Sequence, residues 1–281
     1  MRTLWATVVS LALGIIVVGQ SDLQKVVETE RAFARFAAEK GTKPAFLEYT
    51  AKDGVLFLPD KVKAMDYWNA RGESKGLLSW DPNYADISSN GMFGYTTGNW
   101  EYRSAGKGGI PEGFGEFITI WRREPDGKYR FVVDIGISHA KPSAYSTALA
   151  VPAHPSSVNE KNMSAADSAN GFFEIVGRNG LRSGYEDFAA KDIRAFRENE
   201  MPLIGKKELL SHIKRTKGKT ILTKRSVFVQ ASDIAYVVST YSRINEDGSN
   251  EKGNFVQIWK LIDNRWQIVL DIFKPVPASN G

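Results

Sequence analysis

The segment GEFITIWR at residues 115–122 recurs as GNFVQIWK at residues 253–260, with Gly, Phe, Ile and Trp at matching positions. A few residues further on, VVDI at 132–135 recurs as VLDI at 269–272. Both pairs of segments are rich in the β-branched and aromatic residues that favour strands. Repetition in the same order and at nearly constant spacing predicts two similar structural units in tandem.

The repeat extends towards the N-terminus. AKD at 51–53 recurs at 190–192, a shift of 139 residues that falls only to 137 at the last strand. The same shift matches further residues: Phe33 with Phe172, Gly41 with Gly180, Phe46 with Tyr185 and Phe57 with Phe196.

Each unit begins with helical spacing of apolar residues and continues with strand-like segments. In the first unit we expect helices at Leu23 to Lys40 and Ala45 to Lys52, then strands at Val55 to Leu58, Met92 to Arg103, Glu116 to Arg123 and Tyr129 to Ile137. In the second we expect helices at Ala169 to Val176 and Tyr185 to Ala190, then strands at Ser226 to Gln230, Ile234 to Ile244, Asn254 to Leu261 and Trp266 to Phe273. This order predicts an α+β fold in which helices pack on one face of a curved antiparallel sheet.

The units are joined by residues 139–167, a segment rich in Pro, Ser and Ala that shows no period and is typical of a linker. We therefore predict a first domain at 20–138 and a second at 168–277.

The N-terminus has the pattern of a secretory signal. Arg2 precedes an apolar run from Leu4 to Val18, and Val17 and Gly19 are small enough for the −3 and −1 positions of a cleavage site. A membrane anchor is the alternative, but a span needs about 20 apolar residues. We expect cleavage after residue 19, export to the periplasm or the outside, and no stable membrane anchor afterwards.

Composition excludes several classes of chemistry. The 281 residues include no Cys and three scattered His, which argues against disulfides, thiolate nucleophiles and a zinc site. No motif indicates a cofactor. Lys206 to Arg225 is strongly basic, which suits either an anionic ligand or a solvated helix and loop; without interleaved aromatic residues, a nucleic-acid partner is not expected.

Three segments of the first unit carry a family resemblance: YTTGNWEYR at 95–103, the 115–122 block, and DGKY at 126–129 leading to Asp134. They resemble the SnoaL-like branch of the nuclear-transport-factor-2-like superfamily, and most closely its members labelled a domain of unknown function. The resemblance implies two tandem cone-shaped α+β barrels, each with a pocket between its sheet and helices. It also implies pairing of domains, either as an internal pseudo-dimer or as a homodimer. Ketosteroid isomerases of this superfamily carry a catalytic Asp at a position that falls on Leu58 and Arg197 here, so that mechanism is not supported.

Asp134 and Asp271 each interrupt an apolar strand, and alternation would place them on the same face as Val132 and Val269. A carboxylate in such surroundings suits a general acid or base, or else a structural hydrogen bond or ion pair. His139 follows Asp134 by five residues and could move protons, or simply lie exposed in the linker.

Six further residues are candidates for ligand binding: Trp100, Glu101, Tyr102, Arg103, Trp121 and Trp259. Alternation puts Trp100 and Tyr102 on one strand face, and Glu101 and Arg103 on the other. Trp121 and Trp259 could stack on a flat ligand, although core packing is the alternative.

Three functions fit these patterns. The first is an exported protein that binds a small, largely apolar molecule in one or both cone pockets. The second is a proton-transfer enzyme, an isomerase or dehydratase, with Asp134 or Asp271 as base. The third is an interaction module whose pockets are filled. Because its polar residues are the richer set, the first unit is the better candidate for the working domain.

Overall fold

The structure is a computed structural model that describes residues 11–146, 148–152, 164–216, 218–223 and 227–277, with side chains from Asp22 onward. Three parts of the chain lie outside these residues: much of the expected signal, residues 147 and 153–163 of the linker, which include His154, and Lys217, Lys224 and Arg225 of the basic run. Among the helices of the described part, none is long and apolar enough to cross a membrane.

The first unit, within the described residues, contains three helices and six strands: α1 (Leu11–Lys40), α2 (Thr42–Tyr49), β1 (Thr50–Phe57), β2 (Lys61–Lys63), α3 (Ala64–Asn69), β3 (Leu77–Ile87), β4 (Phe93–Arg103), β5 (Gly113–Arg123) and β6 (Tyr129–Ser138). The strands form one sheet in the order β2-β1-β6-β5-β4-β3. Neighbours are antiparallel except β1 and β6, which are parallel.

The second unit contains α4 (Ala165–Asn179), α5 (Leu181–Phe188), β7 (Ala189–Arg197), β8 (Leu203–Ile204), α6 (Lys206–Arg215), β9 (Lys219–Leu222), β10 (Val227–Ala231), β11 (Ile234–Ile244), β12 (Asn250–Ile262) and β13 (Arg265–Val276). Its sheet runs β10-β11-β12-β13-β7-β8, with β9 paired to β11. The parallel pair is β7 with β13, which matches β1 with β6.

The repeated glycines have a structural role in both units. Gly41 separates α1 from α2 with a φ of 96°, and Gly180 separates α4 from α5 with a φ of 86°. Only glycine adopts such angles without strain, so each fixes the corner between the two helices.

The helices of each unit cover one face of its sheet, and the opposite faces of the two sheets pack on each other. The shared core consists entirely of strand residues, among them Ile118 and Ile135 from the first unit and Ile258 from the second. The rings of Phe93 and Tyr236 meet across this interface in an edge-to-face arrangement, with centroids 5.8 Å apart.

A buried ion pair also crosses the interface. Lys260 Nζ lies 2.5 Å and 2.7 Å from the two carboxylate oxygens of Asp86, and both residues are almost completely buried. Close by, the Ser89 amide donates to Asp233 of the second unit at 2.7 Å.

Candidate functional site

A cavity of about 720 Å³ opens in the first domain between α1–α3 and the covered face of the sheet. Its walls are largely apolar and aromatic, with Phe33, Tyr67, Trp68, Trp80, Trp100 and Tyr102 among the lining residues. Asp134 lies in this wall, and Lys274 reaches it from β13 of the second domain. The cavity therefore combines an apolar surface with a small number of polar groups.

A β-bulge directs Asp134 into the cavity. Trp121 pairs with Phe131 and Ile120 pairs with Val133, which leaves Val132 as the extra residue of β6. Val132 packs in the core between the sheets, whereas Asp134 lies on the helix-covered face. The predicted alternation, which put Asp134 on the same face as Val132, was wrong because a bulge shifts the register of the side chains.

The surroundings of Asp134 favour its protonated form more than water does. Burial raises the pKa of Asp134 to about 6, against the opposing effects of a hydrogen bond from Thr119 and the charge of Lys274. Thr119 Oγ1 donates to Asp134 Oδ2 at 2.8 Å, and Lys274 Nζ donates to the Gly136 carbonyl at 2.6 Å. Asp134 thus titrates close to neutrality beside an apolar cavity.

Glu30 forms a second carboxylate site that sequence reasoning missed. It is completely buried on α1 and accepts hydrogen bonds from Trp80 Nε1 at 2.6 Å, Thr96 Oγ1 at 2.5 Å and Trp121 Nε1 at 3.1 Å. Burial nevertheless raises the pKa of Glu30 to about 7. A signal was available in the sequence, because Glu30 falls between Val26 and Phe33 on the apolar stripe of an amphipathic helix.

The four residues on β4 divide as alternation predicted. Trp100 and Tyr102 line the cavity. Glu101 and Arg103 project from the other face, where they form an ion pair with each other and Glu101 accepts a hydrogen bond from Tyr145. Glu101 and Arg103 do not reach the cavity.

Trp121 and Trp259 are fully buried and do not line either large cavity. Trp121 packs edge-to-face on Phe33 and also donates to Thr96 Oγ1 at 3.0 Å. Trp259 packs against Phe172. Both indoles belong to the cores beneath the helices and hold no surface on which a ligand could stack.

His139 is buried rather than exposed, because the chain after β6 folds back on the first domain. Its Nε2 lies 3.9 Å from Glu116 Oε1, and Nδ1 lies 2.7 Å from the Ala140 carbonyl. The nearby carboxylate of Glu116 is the main cause of a raised pKa for His139. His139 is absent from the wall of the cavity that contains Asp134, so the two do not form a pair.

The equivalent carboxylate of the second domain, Asp271, has different hydrogen-bond and ion-pair partners. Asp271 is completely buried, with Arg197 Nη1 2.7 Å from Oδ1 and the Tyr185 hydroxyl donating to Oδ2. Burial raises the pKa of Asp271. In the first domain these two partners are replaced by Leu58 and Phe46.

The second domain also has a smaller cavity of about 350 Å³, with Arg197, His212, Tyr241 and Arg243 in its wall. Among the described residues no group of three or more metal-ligating side chains is placed to hold an ion.

Several of the solved structures that the chain resembles are described as NTF2-like or SnoaL-like. An NTF2-like protein of unknown function from Shewanella oneidensis MR-1 is 18% identical, with a TM-score of 0.33 over 38% of this chain and 93% of its own. An NTF2-like superfamily protein from Salmonella enterica serovar Typhimurium is 14% identical, with a TM-score of 0.33 over 41% and 89%. A protein from Mesorhizobium loti described as SnoaL-like is 16% identical, with a TM-score of 0.31 over 40% and 98%.

These neighbours belong to the superfamily that the sequence resembles, and each match covers about the length of one unit. At such identities and TM-scores the fold class rests on the topology of the two sheets, which confirms the predicted pair of α+β units. No protein-family profile matches the chain, and no curated protein matches it.

Proposed function

We propose that the first domain binds a small, largely apolar molecule in its 720 Å³ cavity, with Asp134 in contact with a polar group of that molecule. The observation that carries the proposal is an aromatic cavity with a carboxylate in its wall, Asp134, that pairs with no arginine among the described residues. Cavities of about 300–1,000 Å³ with apolar walls and few polar groups are typical of small-molecule sites. A filled pocket, as an interaction module would have, does not fit this volume.

In this proposal the second domain contributes a side chain to the wall of the first cavity. Lys274 extends from β13 to the cavity wall, where its positive charge interacts with the carboxylate of Asp134. The face-to-face packing of the sheets supports an internal pseudo-dimer, in which the second domain takes the position of a partner subunit. We further propose export by a signal cleaved after residue 19, which N-terminal sequencing of the protein from the periplasm or the medium would test.

Proton transfer is the second candidate function. A carboxylate with a pKa of about 6 is largely ionised at neutral pH and still basic enough to remove a proton from an activated carbon. The proposed class is an isomerase or dehydratase with Asp134 as the base. Asp271 does not suit this role, because Arg197 and Tyr185 already occupy its oxygens.

Binding of N-phenyl-1-naphthylamine, an uncharged apolar fluorophore, is measured for the wild type and for two variants of the full chain. Leu58→Arg gives the first domain the guanidinium that the second domain has at Arg197, and Leu58→Gln is its neutral control. We expect saturable binding by the wild type and by Leu58→Gln, and binding at least tenfold weaker in Leu58→Arg. Equal affinity in Leu58→Arg, or no saturable binding by the wild type, would contradict the proposed site.

Proton transfer is tested by the exchange of α-protons of 2-tetralone in D₂O, followed by ¹H NMR. We expect a rate above the buffer background that rises through about pH 6, as Asp134 ionises, and that Asp134→Asn abolishes. Exchange that survives in Asp134→Asn would exclude Asp134 as the base and leave the binding proposal standing.

A further inference from the structure

We propose that the second domain binds a small organic anion, through a carboxylate or phosphate group, in its own 350 Å³ cavity, with Arg243 and His212 as the recognising side chains. This site is separate from the cavity of the first domain and takes a different class of ligand.

The equivalent wall positions of the two cavities carry opposite chemistry. On the central strands, Tyr102 of β4 corresponds in register to Arg243 of β11: both lie seven residues beyond the tyrosines at 95 and 236. On the first strand, Leu58 corresponds to Arg197. Apolar or aromatic side chains in the first cavity are thus replaced by guanidinium groups in the second.

Arg243 has hydrogen-bonding capacity that the protein leaves unused. Its Nη2 donates to the Thr216 carbonyl at 2.8 Å, which holds the guanidinium in place. Its Nε is buried and has no hydrogen-bond partner, and Arg243 forms no ion pair with the residues that the structure describes. Its Nη1 forms no hydrogen bond with the described residues and is free to donate to an oxyanion in the cavity.

Carboxylates also lie near Arg243, and one oxygen of Glu198, Oε2, is buried without a hydrogen-bond partner. Glu251 lies opposite Arg243 in the strand register, but it accepts a hydrogen bond from the Tyr241 hydroxyl at 2.7 Å. Asp271 is paired with Arg197. Glu198 accepts from the Ser138 amide of the first domain at 3.2 Å, and Glu200 is exposed. No carboxylate in this set neutralises Arg243 by direct contact.

The positive charges of the neighbouring arginines act on His212. It lies on α6 in the cavity wall with 5% of its surface exposed. Burial lowers the pKa of His212 to about 4, and the charges of Arg197, Arg215 and Arg243 act in the same direction. The groups facing it from neighbouring elements also include Tyr241 and Glu251, which engage each other. An anion beside Arg243 would oppose the three arginines, so its binding would raise the pKa of His212.

The experiment titrates the full chain with inorganic phosphate and, separately, with succinate. His212 is followed by the pH dependence of its imidazole ¹H NMR signals, which His212→Gln identifies among the three histidines. We expect saturable binding of at least one probe and a rise in the pKa of His212 of one unit or more at saturation. We expect Arg243→Gln to weaken binding about tenfold or more.

The matched control is Arg178→Gln, which removes an exposed arginine that pairs with Glu174 at 3.5 Å and does not line the cavity. It should bind the probe with an affinity within about twofold of the wild type. Unchanged binding in Arg243→Gln, or saturation that leaves the pKa of His212 unmoved, would mean an adventitious ion only and would overturn the proposal, as would the absence of saturable binding. If Arg243→Gln fails to fold, the wild-type titration of His212 decides the outcome.

Discussion

One strand position holds an aspartate in both domains, and a few neighbours decide what that aspartate does. Asp271 is held by Arg197 and Tyr185, so its oxygens are committed to the protein. Asp134 has Leu58 and Phe46 in the corresponding places and keeps one strong contact, from Thr119. An aspartate at this strand position therefore does not by itself indicate a chemical role. That role depends on the residues that surround the carboxylate.

The two aspartates should respond differently to the same substitution. Asp271→Asn leaves Arg197 buried without its counter-charge, and breaking a buried pair costs about 3–5 kcal/mol. Asp134→Asn removes a carboxylate whose charged form burial already disfavours, so we expect a change in the free energy of unfolding within about 1 kcal/mol. Urea denaturation at pH 7 measures both, and similar losses in the two variants would contradict the assigned roles.

Glu30 should make the stability of the protein depend on pH. Its pKa in the folded state, about 7, lies above its unfolded value near 4.5. The folded state therefore holds the proton more tightly, so this contribution is complete below about pH 4.5 and is lost as the pH rises to about 7. The shift corresponds to about 3 kcal/mol at most.

The measurement compares wild type with Glu30→Gln by urea denaturation between pH 4.5 and 8. The charge of Asp134 contributes to the raised pKa of Glu30, so the difference between the two curves reports Glu30 together with its coupling to Asp134. We expect the wild type to lose stability relative to Glu30→Gln as the pH rises. A difference that is constant across this range would show that Glu30 is already ionised at pH 4.5.

At the scale of elements, the repeated Gly-x-Phe motif is explained by ring packing across strands. Gly115 pairs with Trp100, and Gly253 pairs with Tyr241. A Cβ at Gly115 would lie 2.5 Å from the Trp100 ring and 1.9 Å from the Ile137 carbonyl oxygen. Each glycine thus makes room for the aromatic side chain that lines the cavity of its domain.

Gly115→Ala should push Trp100 out of place and separate β5 from β6. Overpacking of this kind costs about 1–3 kcal/mol, and we expect a value near the upper end because a backbone oxygen must move. Loss of the wild-type tryptophan fluorescence spectrum should accompany the lower unfolding free energy. Gly177→Ala is the control, since a Cβ there meets nothing within 4 Å and lies in α4, where alanine favours the helix. Equal effects of the two substitutions would refute the packing argument.

Sequence patterns predicted the long central strands and missed shorter or irregular elements, among them β7, although it repeats β1. Ile234–Ile244 was predicted at its observed bounds, because eleven residues of strand-like composition are flanked by turn residues. Leu77–Ile87 was missed, because Pro82 argues against a strand; it is accommodated by a register shift in β3 at the edge of the sheet. The short α3 and β2 are set by contacts with β1 that no local pattern reveals.

The candidate site was only partly accessible from the sequence for the same reason. Trp100 and Tyr102 followed from alternation along a regular strand. The cavity-facing direction of Asp134 depends on the bulge at Val132, and the burial of His139 depends on how the chain returns after β6. Glu30 lies 91 residues before Trp121 in the chain, so the two come into contact only when the protein folds.

At the scale of the whole molecule, the two domains share a core and should unfold together. Apolar strand residues from both sheets form one cluster, and the buried pair of Asp86 and Lys260 lies at its edge. Exposing either sheet face alone would leave a large apolar surface in water, which is unfavourable in proportion to its area. The interface thus couples the cavity of one domain to the fold of the other, as the reach of Lys274 into the first cavity already indicates.

The ion pair between the domains provides the test of this coupling. Lys260→Met leaves Asp86 buried without its partner and should cost about 3–5 kcal/mol, whereas the double variant Asp86→Leu, Lys260→Met removes both charges and should recover most of that loss. We expect a single unfolding transition in the wild type and in the double variant, with the same midpoint by tryptophan fluorescence and circular dichroism. If instead Lys260→Met lowers the midpoint of one transition and leaves a second transition at the wild-type position, the domains unfold independently, and the second domain is a neighbour of the first rather than part of its stability.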